Sequence, residues 1–295
     1  MILCIVNPTA GHGRTGKVFE KNRNVWQEQY PDWTFVTTKY AGHGTELSKE
    51  AVSDGTEMVV AMGGDGTVQE VARSLYGKRV PLGIIPTGTG NDYIKAFLDK
   101  KKVQEMERNP CLAIRHINAA SVQQADVGLC NGSLFLNLGG CGFDTETILC
   151  TERVKNLGFR GFAAYLVALL ACIFTHKDIS ARIIVDGEER EAKFMMLTIS
   201  NGKYMGGGFL VSPDSVIDDG LFDCSLLHPI SKIMIPILLP RFIKGEGKKL
   251  KPMETFRCKR ITICCPDLYY EMDGEVFRGD MVTYEIAPEK LLVRV

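Results

Sequence analysis

Met58-Val59-Val60-Ala61-Met62-Gly63-Gly64-Asp65-Gly66-Thr67 decides the fold of this chain. Met58–Ala61 is a short apolar run, read as a strand buried on both faces, and Val68–Tyr76 beyond the glycines has a helical pattern. A buried strand that runs through a Gly-rich turn into a helix is one unit of a parallel sheet covered by helices. Glycine lets backbone N–H groups approach an anion closely, and a helix start favours negative charge. A carboxylate in such a turn repels bare phosphate, so Asp65 makes chemical sense with Mg2+ between the two. The plain alternative is a tight turn in which Asp65 only caps the helix.

The same unit recurs on either side. Upstream, strand Ile2–Val6 ends in Asn7-Pro8-Thr9-Ala10-Gly11, followed by helix Thr15–Tyr30, strand Thr34–Thr38 and helix Thr45–Val52. Downstream, strand Leu82–Ile85 runs into Pro86-Thr87-Gly88-Thr89-Gly90-Asn91-Asp92, and Tyr93 opens another helix. Three Gly-rich turns thus lie at strand carboxyl ends, where open parallel sheets bind ligands. None has the GxxxxGK[ST] pattern of a P-loop, and no GxGxxG follows the first strand, which argues against a dinucleotide-dependent oxidoreductase.

Past about residue 110 short β-like runs take over: Ala113–Asn118, Ser133–Asn137, Ala181–Val185, Lys193–Ser200, Leu221–Leu227, Arg260–Cys265, Val282–Ile286 and Leu291–Val295. Two helical stretches, Gly161–His176 and Ile230–Lys244, interrupt them. The expected architecture is an α/β domain with a parallel sheet over residues 1–115 and a mostly antiparallel β domain over 116–287, with a last strand at about 288–295 returning to the first domain.

Composition sets limits. The 295 residues are 45% hydrophobic and 24% charged with a formal charge of +0, so no overall field draws the chain to nucleic acid or an anionic surface. The 10 cysteines are scattered, without the short spacing of a zinc site, and read as reduced core residues of a cytoplasmic protein. His12 and His43 lie near the Gly-rich turns, and His116, His176 and His228 are dispersed; no spacing points to metal ligation. The start of the chain reads as a strand and not a signal peptide. The longest apolar run, Phe162–Phe174, is shorter than the roughly 20 residues of a membrane span. Ile230–Lys251 joins an apolar segment to Arg241, Lys244, Lys248, Lys249 and Lys251, a pattern shared by membrane-interface segments and by core helices with a solvated basic end.

Together the three turns resemble the diacylglycerol kinase catalytic-domain family, which includes bacterial lipid kinases and, more remotely, sphingosine and ceramide kinases. The family pattern is an NPxxG turn, GGDGT followed by a hydrophobic residue and NE, and GTxND followed by an aromatic residue. Here these are Asn7–Gly11, Gly63–Thr67 with Val68-Gln69-Glu70, and Gly88–Tyr93. Asp126-Val127-Gly128 with Phe135-Leu136-Asn137, Asp218–Asp223 and Asp273-Gly274-Glu275 resemble later motifs, so the likeness spans the chain. Gln69 departs from the usual Asn, and Gly90 stands where Ala or another small residue is common.

The resemblance implies a phosphofructokinase/NAD kinase-like first domain and an ATP-dependent lipid kinase, with diacylglycerol as the substrate and Mg2+ as cofactor. Asn7, Pro8, Thr9, Ala10, Gly11, Thr38, Gly63, Gly64, Asp65, Gly66, Thr67, Val68, Gln69, Glu70, Thr89 and Asn91 would then line the ATP site. Asp65 would organise phosphates and metal. Glu275 would be the general base, on a turn with Asp273 that can swing toward the other domain. Asp219 would hold a second, structural Mg2+ with backbone carbonyls of Val216 and Leu221. Asp92, Lys95 and Asp126 would be polar groups around the metal-water network. The resemblance further suggests a homodimer, peripheral at the inner face of the membrane, with no nucleic-acid partner. A kinase of another hydroxyl, such as NAD or a sphingoid lipid, and a catalytically inactive lipid-binding protein are the rival readings.

Overall fold

The computed structural model describes residues 1–156, 167, 168, 170–173 and 175–295. In chain order the strands and helices are β1 Ile2–Val6, α1 Arg14–Gln29, β2 Trp33–Thr37, α2 His43–Ser53, β3 Met58–Gly63, α3 Asp65–Leu75, β4 Leu82–Pro86, α4 Lys100–Arg108, α5 Pro110–Ala119 and β5 Gln123–Ala125. There follow β6 Gly128–Cys130, β7 Ser133–Phe135, β8 Leu138–Gly142, α6 Phe143–Asn156, β9 Ile179–Val185, β10 Glu188–Phe194, β11 Met196–Ser200, β12 Tyr204–Met205, β13 Phe209–Leu210 and β14 Phe222–Leu227. The chain ends with α7 Ile235–Ile243, β15 Met253–Cys258, β16 Arg260–Met272, β17 Glu275–Ile286 and β18 Leu291–Arg294.

Two compact units result: Met1–Val127 with Pro288–Val295, and Gly128–Ala287. In the first, the sheet order is β2-β1-β3-β4-β18-β5. β1 pairs in parallel with β2 and β3, and β4 in parallel with β3 and β18. All six residues of β3 are buried, as a strand covered on both faces requires. α3 packs on it through Val68, Val71, Ala72 and Leu75, an i, i+3, i+4, i+7 stripe.

One run expected as a strand, Ala113–Asn118, is instead part of helix α5. Asn109 caps it by accepting the Cys111 N–H (3.2 Å), and Pro110 occupies the first turn. Pro110, Ala113, Ile114 and Ile117 are buried at helical spacing. That helix and strand β5 carry the first unit past the boundary expected at 115/116, as far as Val127.

The second unit pairs its strands in antiparallel ladders in the order β15-β14-β11-β8-β16-β17-β6-β7, with β9 on β10 and β16. β16 carries two partners on one side: Ile261–Cys264 pairs with β9, and Tyr270–Met272 pairs with β8. A register shift between Cys264 and Leu268 lets the long strand serve both. One face of the sheet buries Phe135, Leu197, Phe222 and Tyr284. The other packs Phe143, Met196, Ile235 and Phe242 into a second apolar cluster. Most of the helix expected at Gly161–His176 lies outside the described residues.

Candidate active site

In the first unit the turns after β1, β3 and β4 are neighbours because their strands are. The Asn7 N–H donates to Met62 O (2.9 Å), and the Asn7 amide donates to Thr67 Oγ1 (3.0 Å). Thr87 and Gly88 N–H groups both donate to Gly63 O, at 2.9 and 3.0 Å. Gly64 and Gly88 face each other so closely that a Cβ on Gly88 would stand 2.2 Å from Gly64 Cα. A Cβ on Gly63 would meet Thr67 Oγ1 at 2.3 Å. These glycines are required by close approach of backbone to backbone and to side chain.

Asp65 opens α3 and bridges two turns: its Oδ1 accepts the N–H groups of Asp92 (2.7 Å) and Tyr93 (3.1 Å). Its Oδ2 has no hydrogen-bond partner among the described residues. Burial, reinforced by the Asp92 carboxylate, pushes the Asp65 carboxyl up to about 6 despite those donors. Asp92 is neutralised by Lys95, whose ammonium lies 2.8 Å from Asp92 Oδ1 and also donates to Gly90 O (2.8 Å). Asp126, almost fully buried, pairs with Lys290 (2.5 Å), just ahead of the returning strand β18.

The candidate ATP residues divide by what their side chains do. Thr9, Gly66 and Thr89 are exposed on the turns, with Asn7, Gly11, Thr38, Gly64 and Asp65 half-buried beside them. Thr67, Val68 and Gln69 are buried under the turn. The Glu70 carboxylate accepts the N–H groups of Gly42 and Gly44 (2.9 Å each), so it shapes the segment after β2. Asn91 holds a left-handed backbone (φ 50°), its Oδ1 accepts the Gly88 N–H, and its amide donates to Gly88 O and Glu107. Glu70 and Asn91 act here as scaffold.

The second unit carries Glu275, exposed at the first position of β17. The Asp273 carboxylate accepts the N–H groups of Leu136 (2.7 Å), Asn137 (2.9 Å) and Leu138 (3.2 Å), and the Gly274 N–H donates to Glu271 Oε2 (2.9 Å). The clamp pins the turn to the segment before β8. On the same unit lies an apolar cavity of about 700 Å3, its open mouth included, lined by residues such as Met195, Met196, Phe209, Leu238 and Phe242. α7 forms one wall, burying Ile235 and Phe242 and exposing Ile237; Ile233 and Met234 in the turn before it are exposed as well.

Comparison with known proteins fits both halves. Residues 1–130 match the diacylglycerol kinase catalytic domain, and residues 140–295 match the YegS C-terminal NAD kinase beta sandwich-like domain. The chain belongs to the diacylglycerol kinase catalytic-domain family. A Bacillus subtilis relative named diacylglycerol kinase is 30% identical over 92% of this chain and 88% of its own. A Yersinia pseudotuberculosis relative named "Probable lipid kinase YegS-like" is 30% identical over 95% of this chain and 92% of its own. A solved Bacillus anthracis diacylglycerol kinase structure shares the fold, with a TM-score of 0.72 at 22% identity over 99% of this chain and 96% of that one.

The metal expectations of the family separate. Asp65, with one oxygen fixed and the other unpartnered, fits a cation that arrives with nucleotide. Asp219 does not fit a resident metal. Its Oδ1 accepts the Leu221 N–H (3.1 Å), and its Oδ2 is paired with Arg257, which also lies 3.4 Å from Asp223. The guanidinium supplies the positive charge that a metal would bring to Asp219, and the Val216 and Leu221 carbonyls alone are weak ligands. Among the described residues no group of three or more His, Cys, Asp or Glu is placed to hold a metal ion.

Sequence reading missed Lys290, Arg257, Glu271 and Asp144 in this kinase-family frame. The first two are ion-pair partners set by long-range contacts. Glu271 is a carboxylate inside a strand, and Asp144 sits in Gly142-Phe143-Asp144, where the one available signal was a charge amid apolar and glycine residues.

Proposed function

We propose that this protein transfers the γ-phosphoryl group of ATP to a lipid hydroxyl, with conversion of diacylglycerol to phosphatidic acid as the reaction its relatives' names suggest. The apolar cavity of the second unit carries the lipid half of this reading. Apolar side chains dominate its wall, the lining that an acyl chain requires. A soluble acceptor such as NAD has no use for such a wall.

The turns of the first unit support the nucleotide half. Backbone N–H groups and the start of α3 favour the phosphates, and Asp65 would hold the divalent cation that accompanies ATP, which would neutralise phosphate charge. Glu275 takes the proton of the lipid hydroxyl as its oxygen bonds to the γ-phosphorus and the bond to ADP breaks. Phosphoryl transfer asks of a protein chiefly positioning and charge neutralisation, with one carboxylate to orient the nucleophile. Exposed Ile233, Met234 and Ile237 offer an apolar contact for a membrane surface, and among the described residues no helix is long and apolar enough to cross one.

The test is incubation with radiolabelled ATP and Mg2+ against total lipid extract, diacylglycerol micelles, sphingosine and NAD in parallel. Label in a phosphorylated glycerolipid is expected. Label in NAD alone, or in no acceptor, overturns the proposal.

A further inference from the structure

The lipid cavity has a polar floor. Of its lining side chains among the described residues, only Asp144 and Thr147 carry oxygen, and the Thr147 hydroxyl is spent on Phe143 O (2.7 Å). Asp144 is 9% exposed; its Oδ1 accepts from the Thr145 hydroxyl (3.4 Å), and its Oδ2 has no hydrogen-bond partner among the described residues. Glycine makes its place: a Cβ on Gly140 would lie 3.3 Å from that Oδ2. Across the β8–β16 ladder Gly140 is opposite Glu271, so both carboxyl groups belong to the same face of the sheet. Glu271 is 2% exposed and holds the Gly274 N–H, one residue before Glu275. The acidic floor of the cavity is therefore joined through Glu271 to the turn that carries the proposed base.

A buried carboxylate oxygen without a partner is costly, and an ionised carboxylate can only accept hydrogen bonds. Ester oxygens also only accept. A diacylglycerol, esterified beside its one free hydroxyl, sets acceptor against acceptor at this floor. A glycerolipid with a second free hydroxyl supplies the missing donor. Burial pushes Asp144 up to about 6, and Glu271 is raised well above the usual carboxylate range by burial and by Asp144.

We propose that Asp144 is a specificity-determining residue that accepts a hydrogen bond from a second lipid hydroxyl, so that the preferred acceptor is a monoacylglycerol over a diacylglycerol. This rests on the lipid-kinase reading and narrows it.

The experiment compares kcat/KM for 1-monooleoylglycerol, dioleoylglycerol and sphingosine in mixed micelles, for the wild-type chain, Asp144→Leu and Asp144→Asn, with a thermal melt of each. Wild type is expected to favour monooleoylglycerol about tenfold, the scale of one hydrogen bond to a charged group. Asp144→Leu erases that preference by losing activity on monooleoylglycerol only, with KM for ATP unchanged. Asp144→Asn, whose amide can donate to an ester carbonyl, shifts the ratio toward dioleoylglycerol and serves if the Leu variant melts early. A ratio unmoved in both variants, a wild-type preference for dioleoylglycerol, or a preference for sphingosine overturns this inference while leaving a lipid kinase. Absence of any labelled lipid overturns both readings.

Discussion

Asp65 Oδ1 accepts two hydrogen bonds from the turn after β4, at 2.7 Å from Asp92 N and 3.1 Å from Tyr93 N. One carboxylate oxygen thus fastens two glycine turns together, which explains why the residue sits in the middle of the turn and not merely at a helix cap.

Asp65→Asn is expected to abolish phosphoryl transfer, a loss of at least a hundredfold in kcat/KM. The raised carboxyl also sets a pH dependence. Folding lifts its pKa to about 6, so the ionised form needed for the cation is depleted as pH falls through 6. Wild-type affinity for a fluorescent ATP analogue with Mg2+ should decline below about pH 6. In Asp65→Asn it should be weak and flat across that range.

Gly88→Ala is expected to disrupt the nucleotide turns, because its Cβ would collide with Gly64 Cα. Backbone must shift, a cost of about 1–3 kcal/mol that lowers the melting temperature by several degrees. Gly66→Ala has open space around its Cβ and should melt like wild type. Differential scanning calorimetry of the two variants separates close approach from simple glycine content.

Glu275→Gln and Asp273→Ala should fail differently. Glu275 is exposed, so its amide variant should lower kcat by 10²–10⁴-fold with unchanged melting temperature and ATP affinity. Asp273→Ala removes the acceptor of three backbone N–H groups and should cost about 2–4 kcal/mol of stability, seen in urea unfolding. Full activity in Glu275→Gln would refute the base assignment.

Ile233 is 80% exposed and Ile237 59%, whereas Lys248 is paired with Asp214 at 2.7 Å. Ile233→Asp with Ile237→Asp should weaken vesicle flotation about tenfold or more without lowering the melting temperature. Lys248→Glu alone should change flotation less.

Chelation tests the second metal. With Arg257 on Asp219, EDTA should leave the melting temperature of the nucleotide-free protein unchanged. Arg257→Ala should lower stability by no more than about 1 kcal/mol, since the pair is part-exposed.

Much of this was readable from local pattern. Each of β1, β3 and β4 is an apolar run, and each runs into a glycine turn, so their type and place followed from burial and turn chemistry. Ala113–Asn118 misled because apolar and polar residues mix there in a way that suits either period; Asn109 and Pro110 were the capping signals that decide for helix. The clamp on the Asp273 turn was not legible, because the turn's own sequence is that of any surface turn and its partners lie in the distant segment Leu136–Leu138.

By itself the sequence determined the strand-turn-helix units, the glycines where backbone approaches backbone, and the acidic residues of the motifs, since these depend on neighbours within a few positions. Tertiary structure alone decided that Lys290 neutralises Asp126, that Arg257 takes the place a metal would have at Asp219, and that Asp144 lines an apolar cavity with one oxygen unpartnered among the described residues. Charge pairing and desolvation depend on which residues meet through space, and those meetings span segments that no local pattern links.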